Sequence, residues 1–223
     1  LAGANLTRVK CSGAKFCGTN IGRALLKDAD FSGGLDMHDA VLAKSDLSGA
    51  KFNEANLNGV DLSECIFDNT DLSGVTAPRL LFISSDLKGL RLTGADLTQG
   101  TFIETDVSGI DFNKAKLSSA TFVTAQGEGA SFKEADLENM RVVKDSNFAG
   151  SDFQGAKLDK ANLRGTNLEA CSFEKASLNS ADLSQCNIHE GNLHLATARG
   201  TRFEKADLTG ASLVSINLMQ GSL

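Results

Sequence analysis

The sequence predicts an all-β solenoid, and three observations lead to that fold class. An apolar or small residue recurs at every fifth position, here called the central position, and all 13 phenylalanines occupy it. A second small or apolar residue lies two positions before each central residue, and no charged residue occupies either position. An α-helix would repeat at three and four residues and a half-buried strand at two, so neither element explains the pattern. A fixed short period indicates stacked structural repeats.

The central series runs by fives through residues 1–31, 37–142 and 148–223. It slips by one residue at each of the two junctions. The first extra residue lies at Gly33-Gly34 and the second within Val143-Lys144-Asp145. Because a single extra residue in a repeat array has to leave the regular path, each slip predicts a one-residue bulge. A glycine pair suits a corner that needs a positive φ angle.

Segments such as residues 95–99 (ADLTQ) and 161–165 (ANLRG) resemble the A(D/N)LXX motif of pentapeptide-repeat proteins, and the resemblance extends along the whole chain. It implies a right-handed quadrilateral parallel β-helix in which four pentapeptides make one square coil. By that analogy the 223 residues make about eleven coils and a rod roughly 50 Å long. Four repeats per coil would also put the two bulges on opposite corners of the rod.

Residues twenty apart should stack in columns if one coil contains four repeats. Two of the four central columns hold ten of the 13 phenylalanines, which suits stacked aromatic rings. These ten are Phe31, Phe52, Phe112, Phe132, Phe153 and Phe173 in one column, and Phe82, Phe102, Phe122 and Phe203 in the other.

One outward column is aliphatic, unlike the rest of its face. It contains Ile83, Ile103, Val123 and Val143, with Leu81 beside the first. We call these five residues the aliphatic stripe and predict that they bind a partner protein or a second rod, since exposed apolar patches mark interaction sites. The alternative is that β-branched residues only support the parallel ladder.

The sequence offers little for catalysis. The histidines His38, His189 and His194 each follow a central residue and should face solvent. His189 and His194 would lie on adjacent faces and could share a metal, but plain surface histidines explain them better. Aspartates before central residues belong to the repeat motif, and no phosphate-binding loop, zinc-protease motif or nucleophile elbow occurs. We therefore predict no enzyme, no metal and no cofactor.

Four of the five cysteines occupy inward positions: Cys11, Cys65, Cys171 and Cys186. They predict small buried thiols and no disulfide framework, which fits a reducing, cytoplasmic compartment. Cys17 points outward and receives no role. The chain has neither a run of 18 apolar residues nor a signal peptide, so we expect no membrane insertion.

Charge is uneven along the chain, whose overall net charge is −6. Residues 1–27 carry five basic and no acidic side chains, whereas residues 28–111 carry fifteen acidic and five basic ones, a net charge of −10. The acidic middle resembles the branch of the family whose rods imitate duplex DNA and inhibit DNA gyrase. Direct nucleic-acid binding is not expected, because the chain lacks Trp, Tyr and a broad basic face.

Three functions follow as hypotheses: a non-catalytic protein-binding scaffold, a DNA mimic that inhibits gyrase, and a rigid spacer between domains. The repeat runs unbroken to both ends, so we expect residues 1–223 to form a single domain that is a fragment of a longer protein. The closing run, residues 210–223, resembles repeat modules attached to bacterial type VI secretion adaptors. That resemblance implies a scaffold that loads or presents a secreted effector.

Overall fold

The chain folds as a right-handed quadrilateral β-helix, as the computed structural model shows for residues 1–143 and 145–222. Successive coils pair in parallel through single bridges such as Asn5↔Leu25 and Asp86↔Asp106. Backbone N–H groups of one coil donate to carbonyls of the next, as in the Leu6 N–Leu25 O bond of 2.8 Å. The described residues contain no helix long and apolar enough to cross a membrane.

Each pentapeptide forms one side of the square and turns a corner after its central residue. At Leu97, the N–H of Gly100 donates to the Leu97 carbonyl at 2.8 Å and closes a β-turn. The third residue of that turn, Gln99, has a φ of 58°, the left-handed conformation that a type II turn requires at this position. Asp96 Oδ1 accepts the Thr98 N–H at 3.2 Å, so the motif aspartate caps the turn that follows it.

Four extended strands replace this turn on one face. They are β1 (Leu81–Ile83), β2 (Thr101–Ile103), β3 (Thr121–Val123) and β4 (Arg141–Val143). The strands form one parallel sheet in the order β1-β2-β3-β4. The turn-closing hydrogen bond is absent after Phe82, Phe102 and Phe122 among the described residues. β-branched side chains favour extended backbone, so the outward Ile and Val residues suit this path. The same bond is also missing after Ile21 and Leu62 of this column, which Gly22 and Ser63 follow.

The core is a narrow stack of central side chains, fully buried from Ile21 to Phe203. Phe112, Phe132, Phe153 and Phe173 stack in one column with ring centroids 4.9, 4.9 and 5.0 Å apart and planes within 4° of parallel. Rings of the opposite column contact this stack edge-on, as Phe102 does with Phe112 at 6.1 Å. The two aromatic columns predicted from the twenty-residue spacing are thus confirmed.

One central position holds no side chain, and the next coil fills the space. Gly127 is buried, and a Cβ built on it would collide with the Phe148 ring, which belongs to the same column one coil further on. Phe148 in turn contacts Phe122 at 5.6 Å and Phe132 at 6.0 Å, both edge-on. A glycine here therefore makes room for an aromatic ring that tilts across the core.

Both slips in the sequence appear as shifts in the pairing distance. Bridges join Asn5 to Leu25, but Lys15 pairs with Asp36 and Gln126 with Asn147, each one residue further along than the regular spacing. At the first slip Gly33 and Gly34 have φ angles of 76° and 79°, as expected for an extra corner residue. The slips follow Phe31 and Val142, whose columns are two sides apart, so they occupy opposite corners. Lys144, within the second slip, lies outside the described residues.

Phe132→Ala should destabilise the rod by about 3–5 kcal/mol, because the ring is fully buried between Phe112 and Phe153 and its loss leaves a cavity. Urea unfolding followed by circular dichroism measures the effect. The exposed neighbour Glu134 provides the control, since Glu134→Ala should change stability by less than about 1 kcal/mol. Equal effects of the two substitutions would contradict this assignment of the core.

Gly127→Ala should cost about 1–3 kcal/mol, because its methyl group collides with the Phe148 ring. Phe148→Leu alone should also destabilise by leaving space beside Gly127. The double variant should lose less unfolding free energy than the sum of the two single losses, because the added methyl group then occupies the volume that Phe148→Leu vacates. Additive costs in urea unfolding would show that the two residues do not share the same space.

Candidate protein-docking face

The structure brings the five residues of the aliphatic stripe together. Ile83, Ile103, Val123 and Val143 are the last residues of β1 to β4, and they are successive partners in the parallel register. Leu81 is the first residue of β1. Both ends of each strand point outward while the middle residue enters the core, so the stripe covers one flat side of the rod.

The stripe is half-buried rather than fully exposed. All five side chains fall in the intermediate range, and none is among the strongly exposed large apolar residues such as Ile66 and Val214. Neighbouring rungs cover one another because adjacent strands are only about 4.8 Å apart. This arrangement agrees with the ladder-supporting role, while docking at the stripe stays a prediction.

A polar border surrounds the stripe. Thr101, Thr121 and Arg141 follow Leu81 as the first residues of their strands. On the other side Ser84 Oγ donates to Glu104 Oε2 of the next coil at 3.1 Å. Apolar contacts framed by hydrogen-bonding groups are typical of interface cores and their rims.

The same face changes character on either side of the stripe. In earlier coils Gly22 and Ala43 occupy the stripe's column and line a shallow depression of about 270 Å³, together with Arg23 and Lys44. In later coils the column carries the exposed charges of Arg164 and Glu204. The aliphatic stripe therefore lies between a hollow and exposed charges on the same face.

The aspartates that precede central residues serve the turns. Asp46, Asp86 and Asp106 each accept the N–H of the residue two further on, at 3.0, 2.8 and 2.9 Å. Asp96 and Asp111 make the same contact at 3.2 and 2.8 Å. These carboxylates are already occupied by structural hydrogen bonds, which confirms their assignment to the repeat motif.

The three histidines are half-buried, and one lies in a cluster that sequence reasoning missed. His194 Nδ1 lies 3.0 Å from the Val214 carbonyl oxygen. His38, in contrast, lies with Cys17 and Asp36, and their potential ligand atoms are all within 4.8 Å of one another. The signal was available in the sequence: Cys17 and His38 are one residue beyond the twenty-residue spacing, because the Gly33-Gly34 bulge lies between them.

The buried cysteines are chemically quiet. Cys65, Cys171 and Cys186 donate to the carbonyls of Leu42, Phe148 and Leu163 at 3.1, 3.0 and 2.9 Å. Burial raises the pKa of all three thiols to about 12. Cys17 is exposed, as predicted, whereas Cys11 is only partly buried although its inward position predicted a buried thiol, and all five cysteines are free. A thiol is tolerated at these inward positions because a backbone carbonyl of the preceding coil accepts its hydrogen bond.

Ion pairs between coils offset part of the negative charge of the acidic middle segment. Arg8, Lys27 and Lys116, all outside residues 28–111, pair with acidic residues inside it at 3.5–3.7 Å. Within the segment Arg91 contacts Asp71 at 2.6 Å. Asp86 and Asp106 take part in no ion pair among the described residues. The ion pairs therefore offset only part of the negative charge of the segment.

A square parallel coil with turn-capping Asp or Asn residues defines a solenoid repeat protein. The chain matches the family described as pentapeptide repeats, in 8 copies. The matched residues are 1–33, 36–76, 81–114, 146–185, 176–214 and 186–222. The chain therefore belongs to the pentapeptide repeat family. Residues 34–35, 77–80, 115–145 and 223 are unmatched, and the two slips fall at the first and third of these gaps.

Solved structures similar to the chain are themselves pentapeptide repeat proteins. HetL from the cyanobacterium Nostoc sp. strain PCC 7120, involved in heterocyst differentiation regulation, is 26% identical over 95% of this chain and 92% of that one, with a TM-score of 0.43. A trypsin-treated form of QnrB1, a plasmid-mediated fluoroquinolone resistance protein, is 16% identical over 100% and 90%, with a TM-score of 0.48. No curated protein matches the chain.

Thiol reactivity should separate the five cysteines. Cys17 should be alkylated by iodoacetamide within the native protein, and Cys11 more slowly, because thiolates react and burial suppresses their formation. Cys65, Cys171 and Cys186 should react only on unfolding, since burial raises their pKa to about 12. Mass spectrometry after timed alkylation measures this, with the protein in denaturant as control. Prompt native labelling of Cys171 would be inconsistent with its place in the core.

Proposed function

We infer that the chain is a non-catalytic scaffold that binds another protein on the face formed by β1 to β4. One observation supports this most directly: four aliphatic rungs, Ile83 to Val143, stand in register on a flat sheet surface. A half-exposed β-branched surface with a polar border can lose water on contact at little entropic cost, because its side chains are already held in place.

A different protein fits this face better than a second copy of the rod. The stripe is about 14 Å long, from three strand spacings, so its area is far below the roughly 800 Å² per partner of a standard interface, and any partner must also contact the residues around it. A straight second rod would also meet the hollow at Gly22 and Ala43 and the charges of Arg164 and Glu204. A partner with a protruding loop can fill the hollow and cover the aliphatic stripe at the same time.

The gyrase-inhibiting alternative has weaker support. Its basis was the net charge of residues 28–111, and the ion pairs of Arg8, Lys27 and Lys116 neutralise part of that charge in place. The acidic residues of the segment that take part in no ion pair among the described residues, Asp86 and Asp106 among them, still favour it. A supercoiling assay with purified gyrase decides the matter, because absence of inhibition at high micromolar protein removes this function.

Two other functions have no residue on this face to support them. Loading of a type VI effector rests on the resemblance of residues 210–223, which lie several coils beyond β4. A rigid spacer would need these aliphatic side chains only as support for the ladder. We therefore place the protein partner first and leave its pathway unassigned.

Ile103→Lys with Val123→Lys should abolish partner binding while leaving the rod folded. Both residues point outward at half-buried positions, so lysine stems can lie along the surface while their charges disrupt an apolar contact. Cross-linking and capture from cells that express the native protein compare this variant with the wild type. A protein retained by the wild type and lost with the double variant is the expected result.

The matched control is Thr98→Lys with Ser118→Lys. These residues follow the central residues Leu97 and Leu117 on the neighbouring side and receive the same added charge. The control should keep the partner. Retention of every partner by both variants would refute docking at the stripe, and a change of mass by light scattering in the stripe variant alone would identify a second copy as the occupant.

A further inference from the structure

Three potential metal ligands of different chemistry meet on a corner near the first bulge. They are the Cys17 thiol, the Asp36 carboxylate and the His38 imidazole, and all their ligand atoms lie within 4.8 Å of one another. This is the one such group of three or more among the described residues. Cys17 is exposed, while Asp36 and His38 are half-buried, so the corner is open to ions from solvent.

The fold holds two of these groups in a fixed arrangement. Asp36 Oδ1 is 2.9 Å from His38 Nδ1 and accepts the His38 backbone N–H at 3.3 Å. Asn56 of the next coil donates to the same oxygen at 3.0 Å. The carboxylate is therefore oriented by three hydrogen bonds before any ligand arrives.

Cys17 comes from the preceding coil. Gly18 N–H donates to the His38 carbonyl at 2.9 Å, so the two turns are stacked directly. The Cys17 thiol lies 3.8 Å from the Asp36 carbonyl oxygen. The extra residue at Gly33-Gly34 shifts the pairing so that Lys15 opposes Asp36 and Cys17 opposes His38. The one-residue bulge therefore places Cys17 beside Asp36 and His38 of the next coil.

We propose that Cys17, Asp36 and His38 form a binding site for a divalent transition metal of the zinc class, with the remaining coordination position open to water. A thiolate, an imidazole and a carboxylate are the ligand types that Zn²⁺ takes in proteins, and three protein ligands leave one tetrahedral position open. The other carboxylate oxygen of Asp36, Oδ2, has no hydrogen-bond partner among the described residues.

The geometry needs only a small adjustment. Tetrahedral zinc, with bonds of about 2.0–2.3 Å, places its ligand atoms roughly 3.3–3.8 Å apart. His38 Nδ1 and Asp36 Oδ1 are 2.9 Å apart, slightly closer than this. A bound ion would lie between them and replace their hydrogen bond. The exposed Cys17 side chain can rotate to close the third side. A metal here would join two successive coils through their side chains, in addition to their backbone bonds.

Cobalt provides the direct test, because a cobalt–thiolate bond has its own near-ultraviolet absorption. The wild-type protein should bind one equivalent of Co²⁺ with this band, and Zn²⁺ should displace it. Cys17→Ser should remove the band, and His38→Gln should weaken binding by at least about tenfold. Cys11→Ser and His189→Gln are the matched controls and should bind as the wild type does.

A second measurement uses the unaltered chain. Saturating Zn²⁺ should slow iodoacetamide alkylation of Cys17 at least about tenfold, because a metal-bound thiolate is withdrawn from reaction. A chelator should restore the rate. Alkylation of Cys17 at the same rate with and without Zn²⁺ would overturn the proposal. So would metal binding that Cys17→Ser and His38→Gln both leave unchanged.

Discussion

The structure depends on one constraint: every central side chain packs on the central side chain of the coils before and after it. Phe132 lies between Phe112 and Phe153 at 4.9 Å on each side, and the backbone bonds between coils keep that distance constant. The core is one side chain wide in each column, so the space left by a small central residue is filled mainly by the next side chain in the same column. Phe148 shows this by filling the space left by Gly127.

The fold was predictable because the constraint leaves a period in the sequence. Central residues, small inward residues and capping aspartates could all be assigned by counting in fives, and the stacked phenylalanines by counting in twenties. Counting failed in two places, Gly127 with Phe148 and Cys17 with His38. Each pair is separated by twenty-one residues because a bulge intervenes. Once the slips are included in the count, both contacts follow from the sequence.

The candidate docking face was only partly predictable. The spacing gave the alignment of Ile83, Ile103 and Val123, but it gave neither their half-burial nor the replacement of turns by extended strands. Those features agree with contacts between neighbouring rungs and with the preference of β-branched residues for extended backbone. The same side chains that suit the extended path also give this side its apolar surface. Structural support and recognition are therefore compatible roles for one set of residues.

The bulge at Gly33-Gly34 has a consequence for how such a rod can change. It adds a residue at a corner while Phe31 and Phe52 remain stacked at 5.0 Å across it. The columns are thus indifferent to the length of chain that passes around a corner. Insertions there can lengthen into loops carrying new chemistry, whereas insertions along a side would misalign every column beyond them. Corners are therefore the positions at which residues can be inserted without disturbing the stacked core.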